Sequence, residues 1–197
     1  MRQKAKAVNF GILYGQQAFG LSQGLGIPYK EASSFIETYF KRYKRVKEFI
    51  EFCKESSHKT GLAITITGRK RPIPDIESKN PMVRAAAERL AVNTPLQGTA
   101  ADLIKIAMIQ IDSYLQAHKN MGHMLLQIHD ELLFESPDDE VKKLSTNVKH
   151  SMETVIQLKV PLKVHISIGK NWGSVNFEKS RHNGWTFPQE SQRCVSF

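Results

Sequence analysis

Apolar residues along this chain recur at helical spacing over long stretches and alternate over only a few short ones, which predicts mostly helix with a limited sheet. Residues 2–26 read as a helix that gives way to glycine-punctuated helical turns around Gly15, Gly20, Gly24 and Gly26. Pro28 suits the opening of a second helix, carried forward by Phe35, Ile36, Tyr39, Phe40, Tyr43, Val46, Phe49, Ile50 and Cys53 and ended near Gly61. The stretch "LAITITGRKRPIP" alternates on both sides of Thr67-Gly68 and predicts a short hairpin. Alanine-rich residues 81–93 predict a helix and Pro95 interrupts it. A further helix is predicted over 99–118, with Leu103, Ala107, Ile111 and Leu115 on one face. "HMLLQIHDELLFES" reads as two apolar strands about an acidic turn. Residues 138–157 read as an amphipathic helix capped by Asp138 and Asp139, and "VPLKVHISIG" as a strand. Beyond Trp172 the periodicity is lost, and residues 174–197 are predicted to form a disordered tail.

Composition narrows the classes. With 197 residues, 41% hydrophobic and 24% charged, the chain can bury a core of one or two globular domains. No apolar run approaches a membrane span, and no signal-peptide pattern is present. Cys53 and Cys194 lie far apart without metal-ligand spacing, which points to a reducing, cytoplasmic setting. The formal charge of +9 favours a polyanionic partner, nucleic acid or an anionic membrane surface, although many basic surfaces serve only solubility.

Three constellations carry candidate chemistry. In "RQKAKAVNFGILYG", Arg2, Lys6 and Phe10 share one helix face, with Tyr14 further round. Cations leading to flat rings match the polarity of a nucleoside triphosphate, and Gly11 would let such a ligand approach the backbone. A basic amphipathic helix with Phe10 and Tyr14 in the core fits the same spacing. Second, His129, Asp130 and Glu131 sit at the tip of an apolar hairpin, where paired carboxylates suit Mg²⁺ or simply turn chemistry. Third, Arg89, Asn93 and Gln97 follow at steps of four, suited to minor-groove acceptors or to a solvated polar face.

Taken in order, these segments resemble the family A DNA polymerases. "RQKAKAVNFGILYG" is similar to their motif B and "QIHDELLFE" to motif C. "TGRKRPIPDI" with "RAAAERLAVNTPLQGTAADLIKIAM" resembles the segment between, and "VPLKVHISIGKNW" the terminal strand. The resemblance runs from Arg2 to about Trp172. It implies an α+β fold, with a partial helical fingers subdomain over 1–80 and a partial palm over 81–173 whose antiparallel hairpin is backed by helices. It implies template-directed addition of deoxynucleotides to a primer 3′-hydroxyl by two-metal phosphoryl transfer. Arg2 and Lys6 would bind the triphosphate, with Lys6 also a proton donor to pyrophosphate. Phe10 would lie against the sugar and base, and Tyr14 beside the templating base. Arg89, Asn93 and Gln97 would serve the primer–template minor groove, and His129 the primer terminus. Asp130 and Glu131 would be carboxylates of a site for two Mg²⁺ ions. The partners implied are primer–template DNA and deoxynucleoside triphosphates, in a cytoplasmic, nucleoid-associated setting.

One departure matters. The family's other essential aspartate lies in a strand reading roughly Asp-Tyr-Ser, and no such segment occurs here; Asp75, Asp102 and Asp112 have the wrong neighbours. The resemblance therefore implies that the thumb, the first half of the palm and one metal ligand are supplied elsewhere, and that this chain is inactive alone. The alternatives are a non-catalytic basic DNA- or nucleotide-binding fragment, or one half of a split polymerase completed by a complementary fragment. Loss of the neighbouring strand would also leave the hairpin edge open to aggregation.

Overall fold

The computed structural model describes residues 2–175 and 192–196. They form an α+β fold that divides into two compact units, residues 1–99 and 100–197. Among the described residues no helix is long and apolar enough to cross a membrane.

The first unit opens with α1 (Arg2–Leu13), α2 (Ala18–Leu25), α3 (Tyr29–Arg42) and α4 (Lys44–Thr60). The helix predicted over residues 2–26 is thus two helices. At the end of α1, Gly15 N–H bonds the Ile12 carbonyl at 3.1 Å and Gln16 N–H bonds that of Gly11 at 2.8 Å. This is a Schellman closure, and it requires the left-handed φ of +80° that Gly15 supplies. The reversal brings Leu21 and Ala32 against Val8 and Ile12, all four buried. The single helix predicted from Pro28 to Gly61 is likewise broken, at Tyr43, whose ψ of 61° is not helical. Neither glycine nor proline marks that break. An unbroken helix would stack Lys41 on Lys44 and Arg45 at three- and four-residue steps, like-charge pairs that are unfavourable.

The predicted hairpin is β1 (Leu62–Ile64) paired antiparallel with β2 (Lys70–Pro72). Thr65 closes its loop: its N–H bonds the Arg69 carbonyl and its hydroxyl accepts from Arg69 N–H. A 3₁₀ turn (Pro74–Glu77) leads to α5 (Pro81–Asn93), capped by the Asn80 side chain on Met82 N–H. Ala63, Ile73, Ile76, Ala87 and Ala91 form the core there. Residues 81–99 fall within this first unit, beyond the expected division at residue 80. Pro95 has no N–H to give, and the chain passes through one π-helical turn (Thr94–Gly98) before α6 (Thr99–Ala117).

In the second unit, Ala107, Ile111 and Leu115 of α6 are buried as the periodicity predicts, whereas Leu103 is half-buried. They pack with Leu132 and Phe134 of β4 (Glu131–Pro137) and with Val141, Leu144 and Val148 of α7 (Val141–Glu153). The α7 cap is Glu140, without a side-chain cap bond, so Asp138 and Asp139 do not open the helix as expected. The sheet order is β3-β4-β6-β5, with β3 over His123–Ile128, β5 over Ser167–Gly169 and β6 over Gln192–Ser196. β5 is much shorter than the strand expected over residues 160–169, and a single helical turn, α8 (Trp172–Val175), follows it. The disordered tail expected from residue 174 is corrected at residues 192–196, which pair antiparallel with both β4 and β5. Only Cys194 and Val195 are apolar there, too few for an alternating signal, so backbone pairing makes the strand. The rest of that expectation, residues 176–191 and 197, lies outside the described residues.

Among the described residues β3 is an edge strand. It carries a bulge at Leu125, and Leu125 and Leu126 are 47% and 40% exposed. An unpaired apolar edge is a template for self-association. Leu125→Lys is expected to slow concentration-dependent light scattering while keeping the thermal transition; unchanged scattering would mean that this edge is not the sticky surface.

Candidate functional site

Helix α1 has two faces. Val8 and Ile12 are buried, while Phe10 is 44% exposed and stacks on Tyr14, ring centroids 5.8 Å apart at 20°. The core of this helix is therefore aliphatic, and Phe10 is not part of it. Arg2 and Lys6 stand eight and four residues before Phe10 in the same helix, and their side chains lie outside the described residues. The space above Gly11, expected to admit a ligand, is taken by the Gln16 side chain.

Arg89 is exposed on α5, and its stem lies over Gly15: a β-carbon at Gly15 would come within 3.0 Å of Arg89 Cγ. One residue earlier, Glu88 joins Lys54 at 2.7 Å and lies 3.7 Å from His58, which also meets Glu77 at 2.6 Å. The hydrogen bond from Lys54 holds the Glu88 carboxyl below the usual carboxylate range, against the desolvation that raises it. This cluster ties α5 to α4. Asn93 is half-buried, and its Oδ1 has no hydrogen-bond partner among the described residues. Gln97 is exposed on the π-helical turn. That turn is held by the hairpin loop: Arg69 Nη2 donates to the Gly98 carbonyl at 2.9 Å. Ile66 N–H donates to Thr99 Oγ1 at 3.1 Å, and Thr99 Oγ1 donates in turn to the Pro95 carbonyl. Arg89, Asn93 and Gln97 thus share the first unit with Phe10 and Tyr14.

In the second unit, Ile128 pairs with Glu131, so His129 and Asp130 form a two-residue turn between β3 and β4. Among the described residues His129 is the only non-glycine with positive φ, at 54°. Two-residue hairpins favour glycine at that first position because the backbone must turn left-handed. Gln127 Nε2 donates to the His129 carbonyl at 2.9 Å and steadies the strained residue. Asp130 is exposed at the tip and Glu131 half-buried beside it. Among the described residues no group of three or more His, Cys, Asp or Glu is placed to hold a metal ion. Asp75 and Asp112 are exposed, and Asp102 is buried within α6.

Residue-level reading missed Gln127, Arg69 and Thr99, which place candidate groups without resembling reactive ones. The signal for Arg69 and Thr99 was present in the sequence as Pro95, since a proline-broken helix leaves backbone groups for other residues to satisfy.

Comparison with known proteins bears on both units. The model of the family described as DNA polymerase family A matches residues 1–174. DNA polymerase I of Lactococcus lactis is 46% identical over 171 residues, covering 87% of this chain and 20% of that protein. The thermostable DNA polymerase I of Thermus filiformis is 49% identical over 173 residues, covering 87% of this chain and 20% of that protein. The chain therefore spans about a fifth of the length of these relatives. Among solved structures, the POL domain of Pol1 from M. smegmatis, in complex with DNA primer-template and dNTP, superposes with a TM-score of 0.85 at 40% identity. It covers 88% of this chain and 31% of that one.

Two outcomes follow from this geometry. His129→Gly is expected to stabilise the protein by about 1 kcal/mol in denaturant unfolding, because glycine adopts positive φ without strain. A loss of stability would locate no strain at the turn. Glu88 titrates lower in the folded than in the unfolded chain, so its pairing adds stability above the unfolded value that disappears as pH falls through the folded one. Glu88→Gln is expected to lower the melting temperature at neutral pH and to flatten its decline on acidification, measured by circular dichroism.

Proposed function

The chain belongs to DNA polymerase family A, and from that premise we propose that it supplies the nucleotide-gripping helix and the carboxylate hairpin of a template-directed DNA polymerase. The observation that carries the reading is Phe10, set outside the core by Val8 and Ile12 and stacked on Tyr14. An exposed Phe10 stacked on a half-buried Tyr14, toward the end of a helix that begins with Arg2 and Lys6, offers planar contact to a sugar or base and charge to phosphates. In this reading Arg2 and Lys6 hold the triphosphate and Lys6 gives a proton to the departing pyrophosphate. Phe10 lies against the deoxynucleotide and Tyr14 beside the templating base. Arg89 and Gln97 donate to minor-groove acceptors of the primer–template, with Asn93 in support. His129 meets the primer terminus. Residues 1–80 then correspond to part of the fingers and residues 81–173 to part of the palm, with Arg89, Asn93 and Gln97 in the latter.

The donor set at the hairpin fits magnesium. Asp130 is an exposed hard-oxygen donor with Glu131 beside it, and Mg²⁺ is commonly held by one or two carboxylates with substrate phosphates completing its shell. The chemistry supplied by two such ions is charge neutralisation on the triphosphate and activation of the primer hydroxyl. Asp130 is the ligand we assign with Glu131 as accessory, and the remaining protein carboxylate comes from outside these 197 residues. The open β3 edge supports a complementary polymerase fragment as the partner that brings it. Replication or repair of DNA in the cytoplasm, near the nucleoid, is the corresponding role.

Primer extension with Mg²⁺ tests the reading. The chain alone is expected to give no extension; extension would overturn the assignment of a missing ligand. Lys6→Ala is expected to weaken binding of a fluorescent dNTP at least about tenfold, the cost of one charge-assisted contact. Lys119→Ala, at an exposed loop, should leave it unchanged, and equal losses would mean that general charge explains the binding.

A further inference from the structure

The break between α3 and α4 gathers features that no part of the polymerase reading uses. Lys41, Arg42, Lys44, Arg45 and Lys47 place five cations within seven residues around Tyr43. All five are exposed. Among the described residues ion pairs engage only Arg45, to Glu48 at 3.9 Å, and Lys47, to Glu51 at 3.7 Å, both along α4 itself. Tyr43 is 47% exposed, with Arg42 over its ring at 6.0 Å from the centroid. Tyr39 stands 4.9 Å from Tyr43 between centroids, tilted by 49°. Phe35, one turn earlier on α3, is 49% exposed. The three rings line one cleft of about 390 Å³ together with Ser34, Thr38 and Arg42. Its one carboxylate, Glu31, lies eleven residues from Arg42, about 16 Å along α3.

We infer that this knuckle is a separate site for single-stranded nucleic acid, with bases stacking on Phe35, Tyr39 and Tyr43 while Lys41, Arg42 and Lys44 hold the phosphates. Positive charge alone would accept any polyanion, and the rings decide between them. Base–aromatic stacking adds binding energy for every base whatever its identity, and arginine over a ring extends the platform. A duplex keeps its base faces internal and cannot use the cleft. An acidic peptide would satisfy the cations and leave the rings unfilled. A bilayer surface takes apolar groups that protrude, whereas these line a concavity. The inference does not rest on the polymerase assignment, because none of its residues belongs to the α1 face or to the His129–Asp130 hairpin.

Fluorescence anisotropy of a labelled oligo-dT strand with the full chain tests it, read as a function of salt. Removing two phosphate contacts with Lys41→Ala/Lys44→Ala should reduce the slope of log affinity against log salt by about 1.4. Phe35→Ala should lower affinity at least about fivefold with the slope unchanged, since stacking releases no counterions. Phe35 is partly exposed, so this variant leaves the core intact; Tyr43→Trp, with a larger π face, should tighten binding. Photocrosslinking of a bromodeoxyuridine strand should label the peptide spanning residues 29–47. Wild-type affinity in Phe35→Ala, or crosslinks confined to other segments, overturns the proposal. So does an equal loss from Phe35→Ala on blunt duplex, on polyglutamate or on phosphatidylglycerol vesicles, which would assign the knuckle to those partners instead.

Discussion

The left-handed turn at Gly15 is the constraint on which the arrangement of the first unit depends. It stops α1 through a Schellman closure and redirects the chain so that Leu21 meets Ile12. It also leaves room for the stem of Arg89 to lie on bare backbone. A side chain at this position would be strained by the φ of +80° and would press on Arg89. One glycine therefore couples the helix that presents Phe10 to the helix that presents Arg89. The Lys54–Glu88–His58 cluster ties the second of these helices to α4. Phe10 and Arg89 are both exposed, on helices whose positions are set by backbone geometry and by ion pairs.

The second unit solves a different problem. Its hairpin carries Asp130 exposed at the tip, next to a strand buried at Leu132, Leu133 and Phe134. The two-residue turn does this with His129 in a conformation that glycine would adopt more easily, steadied by Gln127. The bulge at Leu125 adds an extra residue to β3, and the pairing resumes with Leu126 opposite Leu133.

Much of this was legible in the sequence where local chemistry and periodicity agree. The apolar hairpin with its acidic turn, the Thr67-Gly68 loop, the helix over residues 81–93 and the disruption at Pro95 all appear where pattern and turn residues place them. The exposure of Phe10 could not be read that way, because spacing is the same for a core ring and an exposed one. It is the burial of Val8 and Ile12 that distinguishes them. The break at Tyr43 lacks glycine and proline, so no local punctuation announces it. The seating of Arg89 on Gly15 joins residues more than seventy positions apart, and only the fold brings them together.

Strand β6 has a consequence for how the molecule is made. It lies between β4 and β5, so β5 reaches the rest of the sheet only through residues 192–196. Leu133 and Ser196 are partners across more than sixty residues of intervening chain. A nascent chain can order the first unit and the β3–β4 hairpin from contacts near in sequence. Its four-stranded sheet must wait for residues 192–196, which bring β5 to β4. Until residues 192–196 are in place, β4 presents an open edge on the side away from β3, so closing the sheet and covering that edge are one event.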